Sequence, residues 1–205
     1  MSDAQPKPVN QRIRVVIARV VALLCLPLLI FTHSAWAGVP ILREAFEVAG
    51  IWAIVAAVLG RFWAILYVGG RKNNEVVQSG PYSICRHPLY FSTTIGAIGF
   101  GLMLGSLILA VVWGGLAFIV LSQTAKREEK FLRAEFSPDY EEYASRVPQI
   151  LPNFGLFQTA QMVIFNTKTL RTNLADALGF LALIPLAKLI VALHAADWVP
   201  AFVLP

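Results

Sequence analysis

Apolar segments of roughly membrane-spanning length dominate this chain. Hydrophobic residues make up 57% of the sequence and charged residues only 14%, whereas soluble domains carry about 25% charged residues. A helix needs about 20 apolar residues to cross the hydrocarbon core of a bilayer. Five segments approach that length: 13–31, 44–68, 89–104, 107–122 and 174–194. The sequence therefore predicts an all-α polytopic integral membrane protein with about five transmembrane helices.

Basic residues between these segments predict the orientation of the chain. The tail, the 69–88 connection and the 126–173 region hold most of the Lys and Arg residues, while residues 32–43 offer only Arg43. Because Lys and Arg accumulate in cytoplasmic loops, we expect the N-terminus and both polar regions on the cytoplasmic side.

The predicted organisation has four parts. Residues 1–12 are a disordered tail, 13–68 hold two N-terminal transmembrane helices, and 69–157 form a core of loop, helical hairpin, Glu-Glu helix and interfacial segment. Residues 158–205 add an interfacial segment and a C-terminal transmembrane helix. A secretory signal peptide is the alternative for the first apolar segment, because Ala35-Trp36-Ala37 matches the small-x-small cleavage pattern.

The first polar segment, residues 80–90, contains Arg86-His87-Pro88-x-Tyr90. Pro88 suits the first turn of a helix, where its missing N–H costs nothing. The start of that helix, together with Arg86, is a predicted binding site for an anion. The structural alternative is a loop at the membrane boundary, with Tyr82 and Tyr90 as interfacial aromatic residues.

The second polar segment, residues 126–135, contains two adjacent glutamates. Glu129 has Arg133 four residues later, so a solvated ion pair accounts for it. Glu128 has no cationic residue three or four positions away, and a carboxylate at an apolar boundary needs a partner. We therefore expect Glu128 to meet a cationic ligand or an arginine of the first polar segment.

Small residues and cysteines complete the set of candidates. Gly99 and Gly101 allow close approach of either a ligand or another helix, and both readings stay open. Cys25 and Cys85 are expected to be free thiols, because two cysteines form no disulfide framework. The sequence holds no metal-spaced His/Cys cluster, so no metal is expected.

These motifs in this order resemble the isoprenylcysteine carboxyl methyltransferase and phospholipid N-methyltransferase superfamily of integral-membrane enzymes. The resemblance covers about residues 60–155. It rests on Gly80-Pro81-Tyr82, Arg86-His87-Pro88-x-Tyr90, the glycines at 96–101, Glu128-Glu129-x-x-Leu132, Phe136, Tyr140, Tyr143 and Val147-Pro148. Carboxyl-methylating members commonly have Phe-Gly before the spaced tyrosines, whereas Phe136 is followed here by Ser137-Pro138.

The resemblance implies S-adenosylmethionine as the methyl donor, bound in a pocket roofed by membrane helices. It implies these cofactor-side positions: His87, Tyr90, Gly99, Gly101, Glu128 and Glu129. Arg86 or the helix start is expected to hold the donor's carboxylate, and Tyr82 or Tyr140 to cover its adenine. Carboxylates such as Glu128 attract its cationic amino and sulfonium groups.

The expected acceptor is a lipid-like molecule that enters from the bilayer. If it is the carboxylate of an isoprenyl-cysteine-like substrate, Arg133 or Arg146 would aim it, with Glu128 as a third catalytic candidate. If it is the amine of a phospholipid, a glutamate becomes the natural base. Two further alternatives are an NADPH-dependent sterol-type reductase and a non-catalytic membrane protein. Membrane lipids are expected partners, and nucleic acid is not.

Overall fold

Helices form most of the described chain. The computed structural model describes residues 32–34, 36, 39–69, 75–163, 165, 167–195 and 202–204. The elements are β1 (Thr32–Ser34), α1 (Pro40–Val68), α2 (Pro81–Ile84), α3 (Pro88–Met103), α4 (Leu107–Phe136), α5 (Asp139–Arg146), a 3₁₀ turn (Phe154–Leu156), α6 (Thr167–Leu181), α7 (Leu183–Ala195) and β2 (Phe202–Leu204). The two short strands pair in parallel. The predicted tail and the predicted first span lie outside the described residues.

Two of these helices are long and apolar enough to cross a bilayer. They are α1, with 29 residues, and α4, with 30 residues. Helix α3 is apolar but shorter, at 16 residues. These helices confirm the predicted class of all-α integral membrane protein, and the number of five spans stays a prediction.

Local sequence signals explain where the helices begin. Helices α1, α2 and α3 each start at a proline, whose fixed φ suits the first helical position. The chain turns at Gly105-Ser106 between α3 and α4, where Gly105 has a φ of 73°. The Ser106 hydroxyl accepts a hydrogen bond from the Leu109 N–H at 3.2 Å, which caps the start of α4.

The predicted C-terminal span differs from the structure. The apolar run 174–194 is divided between α6 and α7, with the break at Ala182. Pro185 explains the break, because a proline ring clashes with the carbonyl four residues earlier, here that of Leu181, and offers no N–H to it. Helix α7 has 13 residues, fewer than a bilayer-crossing helix needs.

The described chain forms two compact units. The first includes residues 58–93 and 118–178 and therefore both polar segments. Its apolar side chains gather in two clusters, one around Tyr90, Ala125 and Ile150, and one around Tyr140, Tyr143 and Val147.

The second unit includes residues 94–117 and the described parts of 10–57 and 179–205. Its core consists of Ile54, Phe100, Met103, Leu104, Leu109 and Ala187. An ion pair of 2.7 Å joins Lys188 of α7 to Glu47 of α1. Lys188, at the edge of an apolar helix, thus has a carboxylate partner.

Candidate active site

The structure brings the two polar segments into direct contact. Arg86 Nε donates to Glu129 Oε1 at 2.9 Å, and Arg86 Nη2 donates to Glu129 Oε2 at 3.3 Å. This forked arrangement matches the planar guanidinium to both carboxylate oxygens. Both side chains are buried, with 11% of Arg86 and 4% of Glu129 exposed. The contact joins the loop before α3 to the charged end of α4.

Arg86 also holds the end of α5. Its Nη1 donates to the carbonyls of Ala144 and Val147 at 2.6 and 2.8 Å. Four of the five guanidinium N–H donors are thereby committed within the protein. The geometry thus gives Arg86 a positioning role, and its contact with the donor's carboxylate stays a prediction.

His87 lies between the two glutamates. Its Nε2 is 3.2 Å from Glu129 Oε1, and its Nδ1 is 3.9 Å from Glu128 Oε2. The ring stacks on Tyr90, with a centroid distance of 5.2 Å and an interplanar angle of 3°. A carboxylate near each ring nitrogen and an aromatic ring stacked on its face therefore fix the orientation of the imidazole.

The structure changes the expectation for Glu129. The predicted ion pair with Arg133 is present at 3.9 Å, but Glu129 is buried rather than solvated, and Arg86 and His87 are its closer partners. Burial opposes the charged form, but the hydrogen bond with His87 and the charge of Arg86 outweigh it and lower the pKa of Glu129 to about 2. Glu129 lies in the charged end of α4, beyond its apolar membrane-spanning part. A permanent carboxylate therefore anchors the cluster.

Glu128 is the more accessible of the two glutamates, with 19% of its side chain exposed. Its carboxylate faces His87 Nδ1, as the expected contact with the first polar segment required, although through a histidine rather than an arginine. Of the cluster Arg86, His87, Glu128 and Glu129, it offers a ligand the most open charged group.

Three tyrosines and a cysteine line the buried side of the cluster. The Tyr143 hydroxyl donates to the Tyr82 carbonyl at 2.7 Å, and burial raises the pKa of Tyr82 and Tyr143. Burial, with the charge of Glu129, also raises the pKa of Tyr140. Cys85 is a free thiol, as expected, and burial raises its pKa to about 12. At neutral pH Cys85 is therefore protonated and a poor nucleophile.

Gly99 and Gly101 belong to the second unit, where they permit close helix packing. A Cβ at Gly99 would lie 2.8 Å from the Gly50 carbonyl oxygen, and one at Gly101 would lie 2.4 Å from the Ala110 backbone. Of the two readings left open by the sequence, the structure supplies the helix–helix contact. Their assignment to the cofactor stays a prediction.

Arg133 and Arg146 carry acidic partners on a more open surface. Arg133 Nε lies 2.8 Å from Glu141, and Arg146 Nη2 lies 3.6 Å from Glu142. Arg146 also lines a cavity of about 410 Å³. The other lining residues are Glu75, Val76, Gln78, Phe136, Asp139 and Glu142. Both arginines therefore hold exchangeable surface contacts, unlike Arg86.

The sequence did not reveal the part played by residues 147–149. The Arg86 N–H donates to the Pro148 carbonyl at 2.9 Å and the His87 N–H to the Gln149 carbonyl at 3.0 Å. The Gln149 side chain hydrogen-bonds Glu129. Val147-Pro148 belongs to the motifs of the resemblance and could have pointed to this segment. Main-chain hydrogen bonds, however, cannot be inferred from residue types.

Known proteins similar to this chain decide its family. The phospholipid methyltransferase family matches residues 45–139. The nickel-cobalt-cadmium resistance protein NccN of Alcaligenes xylosoxydans xylosoxydans is 35% identical over 98% of this chain and 95% of its own. The protein-S-isoprenylcysteine O-methyltransferase B of Arabidopsis thaliana is 32% identical over 49% of this chain and 50% of its own. The chain belongs to the isoprenylcysteine carboxyl methyltransferase and phospholipid N-methyltransferase superfamily.

As a member of this superfamily, the protein is an integral-membrane methyltransferase. A second long match is the cobalt-zinc-cadmium resistance protein CzcN of Cupriavidus metallidurans, 38% identical over 84% of this chain and 79% of its own. No solved structure gave a significant match. Membership in the superfamily favours methyl transfer over the reductase and non-catalytic alternatives.

Proposed function

We propose that this enzyme transfers a methyl group from S-adenosylmethionine to a lipid-like acceptor in the membrane. The favoured acceptor is the carboxylate of an isoprenyl-cysteine-like molecule, and the alternative is the amine of a phospholipid such as phosphatidylethanolamine. We also propose, from the distribution of Lys and Arg, that the site faces the cytoplasm. The cluster of His87 with Glu128 and Glu129 carries the proposal, because it offers carboxylates to a cationic donor.

The residues of this cluster fit such a donor by their chemistry. S-adenosylmethionine carries an ammonium and a sulfonium cation, and when bound it supplies an electrophilic methyl group. Glu128 would hold its cationic part, because it is the open carboxylate of the cluster. Glu129 and Tyr90 hold the His87 imidazole in one orientation. This ring would lie beside the bound donor. Arg86 and Glu129 would position these groups through their ion pair.

Positioning does most of the catalytic work in such a reaction. A carboxylate acceptor is already a nucleophile, so it needs orientation rather than a base; its oxygen bonds to the methyl carbon as the carbon–sulfur bond breaks. Arg133 and Arg146 would aim it, since each has an exposed acid as a partner that another carboxylate could replace. For an amine acceptor, Glu128 would instead accept the proton that the nitrogen loses.

The names of NccN and CzcN concern metal resistance and give no acceptor. Among the described residues, no group of three His, Cys, Asp or Glu side chains is placed to hold an ion. The proposal of methyl transfer rests on the superfamily and not on this absence.

Calorimetry in detergent tests the donor. We expect the wild-type protein to bind S-adenosylmethionine and S-adenosylhomocysteine, and Glu128→Gln to weaken binding of the cationic donor by at least about tenfold, or about 1.4 kcal/mol. Glu135→Gln is the matched control, because Glu135 is exposed on the same helix. Folded wild-type protein that binds neither compound would overturn the proposal.

A labelling experiment tests the acceptor. The protein is incubated with radiolabelled donor and vesicles that contain either a prenylated cysteine or phosphatidylethanolamine. Base-labile label with the prenylated cysteine indicates an ester and supports the carboxylate acceptor. Base-stable label with phosphatidylethanolamine indicates an amine and would replace the favoured acceptor by the alternative.

A further inference from the structure

A row of large apolar side chains is exposed just after the site. The row, called here the apolar strip, consists of Leu151, Phe154, Phe157, Met162 and Phe165. Phe154 is 71% exposed and Met162 is 85% exposed. Contiguous exposed apolar residues of this size usually mark a contact with a membrane or another molecule.

The composition around the strip indicates a membrane surface as the contact. Residues 147–167 contain no Asp, Glu, Lys or Arg. The segment is bounded by Arg146 on one side and Lys168 on the other. It is interrupted by Pro152 and Gly155 and folds there as a 3₁₀ turn rather than a long helix. A segment of this kind is suited to lie in the interface and not to cross the bilayer.

Contacts with α1 give the depth of the strip. Phe157 packs against Trp63, with ring centroids 5.9 Å apart, and the Tyr67 hydroxyl hydrogen-bonds the Thr159 hydroxyl at 2.6 Å. Trp63 and Tyr67 lie in the last two turns of α1, which is long enough to span the bilayer. Trp and Tyr concentrate at the membrane–water interface. The strip therefore lies at the level where α1 leaves the hydrocarbon.

An aromatic contact also joins α1 to the strip. Leu59, one turn before Trp63, is exposed on a helix long and apolar enough to cross a bilayer. Phe157 packs against Trp63 near the end of this helix. The membrane that surrounds α1 is thus the nearest apolar partner for the strip.

We propose that the apolar strip inserts into the headgroup region of the same bilayer that α1 crosses. Its apolar side chains would lie about 5–10 Å deep, at the boundary between headgroups and acyl chains. The protein would then contact the membrane through the strip as well as through its transmembrane helices.

Main-chain hydrogen bonds join the strip to the site. The depth of the strip in the membrane therefore sets the depth of the site. The Asn153 N–H donates to the Ile84 carbonyl at 2.9 Å, and the Gly80 N–H donates to the Gln158 carbonyl at 2.7 Å. These bonds bracket α2, and Arg86 and His87 follow it closely and bond the Pro148 and Gln149 carbonyls. The consequence, which rests on the proposed function, is that the reactive head of a lipophilic acceptor meets the site at the bilayer surface.

Spin labelling in nanodiscs tests the insertion. The protein carries Cys25→Ser, and Cys85 is left in place because it is buried and its thiol is protonated. A nitroxide is attached at Phe154→Cys or at Met162→Cys, with Glu142→Cys as the exposed, charged-surface control. We expect labels at 154 and 162 to collide with oxygen and not with a water-soluble nickel chelate, and the label at 142 to show the reverse.

Two results would overturn the insertion. Nickel-chelate access at 154 and 162 equal to that at 142 would place the strip in water. Low access to both reagents would place it against protein, such as a second copy of the chain. Neither result depends on methyl transfer, so the proposed function and the insertion fail independently.

A kinetic measurement tests the consequence for the acceptor. Phe154→Asp should raise the KM for a vesicle-embedded acceptor severalfold, because a charge opposes insertion, while the donor Kd stays at the wild-type value. Phe154→Leu, which keeps an apolar side chain, should restore the KM. An unchanged KM in Phe154→Asp would show that the strip does not control access to the site.

Discussion

Different kinds of contact stabilise the interior of each of the two units. In the first unit, Arg86, His87 and Glu129 form a buried charged cluster that links a loop to two helices. In the second unit, Gly99 and Gly101 let helices approach until backbone atoms touch.

Because of this difference, we expect substitutions in the two units to change stability by different amounts. A buried ion pair that loses one member leaves an uncompensated charge, which costs several kcal/mol. Close packing of small residues fails more gradually, because helices shift to accept an added methyl group. Among the described residues, the buried cluster of the first unit combines stabilising groups with groups suited to bind a charged ligand.

The largest expected effect follows from removing the charge of Glu129. Glu129→Gln leaves the Arg86 guanidinium buried without its carboxylate and should destabilise the protein by about 3–5 kcal/mol. It should also weaken donor binding, because His87 loses the group that orients it. Thermal unfolding in detergent, followed by calorimetry of the folded fraction at low temperature, measures both effects.

Glu135→Gln is the control for this substitution. It changes an exposed glutamate of the same helix and should alter stability by no more than about 0.5 kcal/mol. If Glu129→Gln unfolds at the same temperature as this control, the charged cluster is not what stabilises the first unit.

The pH dependence of stability also tests the contribution of the Glu129 carboxylate. The pKa of Glu129 is lowered in the folded state, from an ordinary value of 4.5 to about 2. Its contribution to stability is therefore complete above pH 4.5 and is lost as the pH falls towards 2. Wild-type protein should lose more stability over this range than Glu129→Gln, measured as the fall in Tm from pH 6 to pH 2.5. Parallel curves for the two proteins would contradict the assignment.

The sequence predicted the class of the fold and a contact between the polar segments, but it did not reveal the main partner of Glu129. Spacing along α4 pointed to Arg133 as the partner of Glu129, because i,i+4 contacts are visible in a sequence. The actual partner, Arg86, lies 43 positions away, and only tertiary structure reveals such a pair. Pro185 was also present in the sequence. The continuous hydrophobicity of residues 174–194 nevertheless led to the prediction of one unbroken helix.

A smaller effect should follow from crowding in the second unit. Gly99→Ala would place its Cβ 2.8 Å from the Gly50 carbonyl and 2.9 Å from the Ala53 side chain, and should destabilise the protein by about 1–3 kcal/mol. The donor Kd should stay unchanged. A loss of donor affinity with unchanged stability would instead support the predicted role of Gly99 in binding the cofactor.

Gly115→Ala is the matched control for crowding. No atom lies within 4 Å of a Cβ built at Gly115, which is in the interior of α4. Because glycine is poor at helical positions, this change should stabilise the protein by about 0.5–1 kcal/mol. Equal destabilisation by both substitutions would show that glycine acts through the helix backbone and not through close packing.

The smallest expected effect concerns the exposed ion pair of Arg133 and Glu141, which join at 2.8 Å. Exposed pairs contribute about 0.2–1 kcal/mol, so Glu141→Gln should hardly change the unfolding temperature. If Arg133 aims a carboxylate acceptor, removing its competing partner should lower the acceptor's KM by up to about fivefold, the equivalent of 1 kcal/mol. Initial rates with the prenylated cysteine measure this, with Glu135→Gln as control. Because Arg146 is the other candidate, Glu142→Gln provides the comparison: a lower KM in Glu142→Gln alone would transfer the role from Arg133 to Arg146.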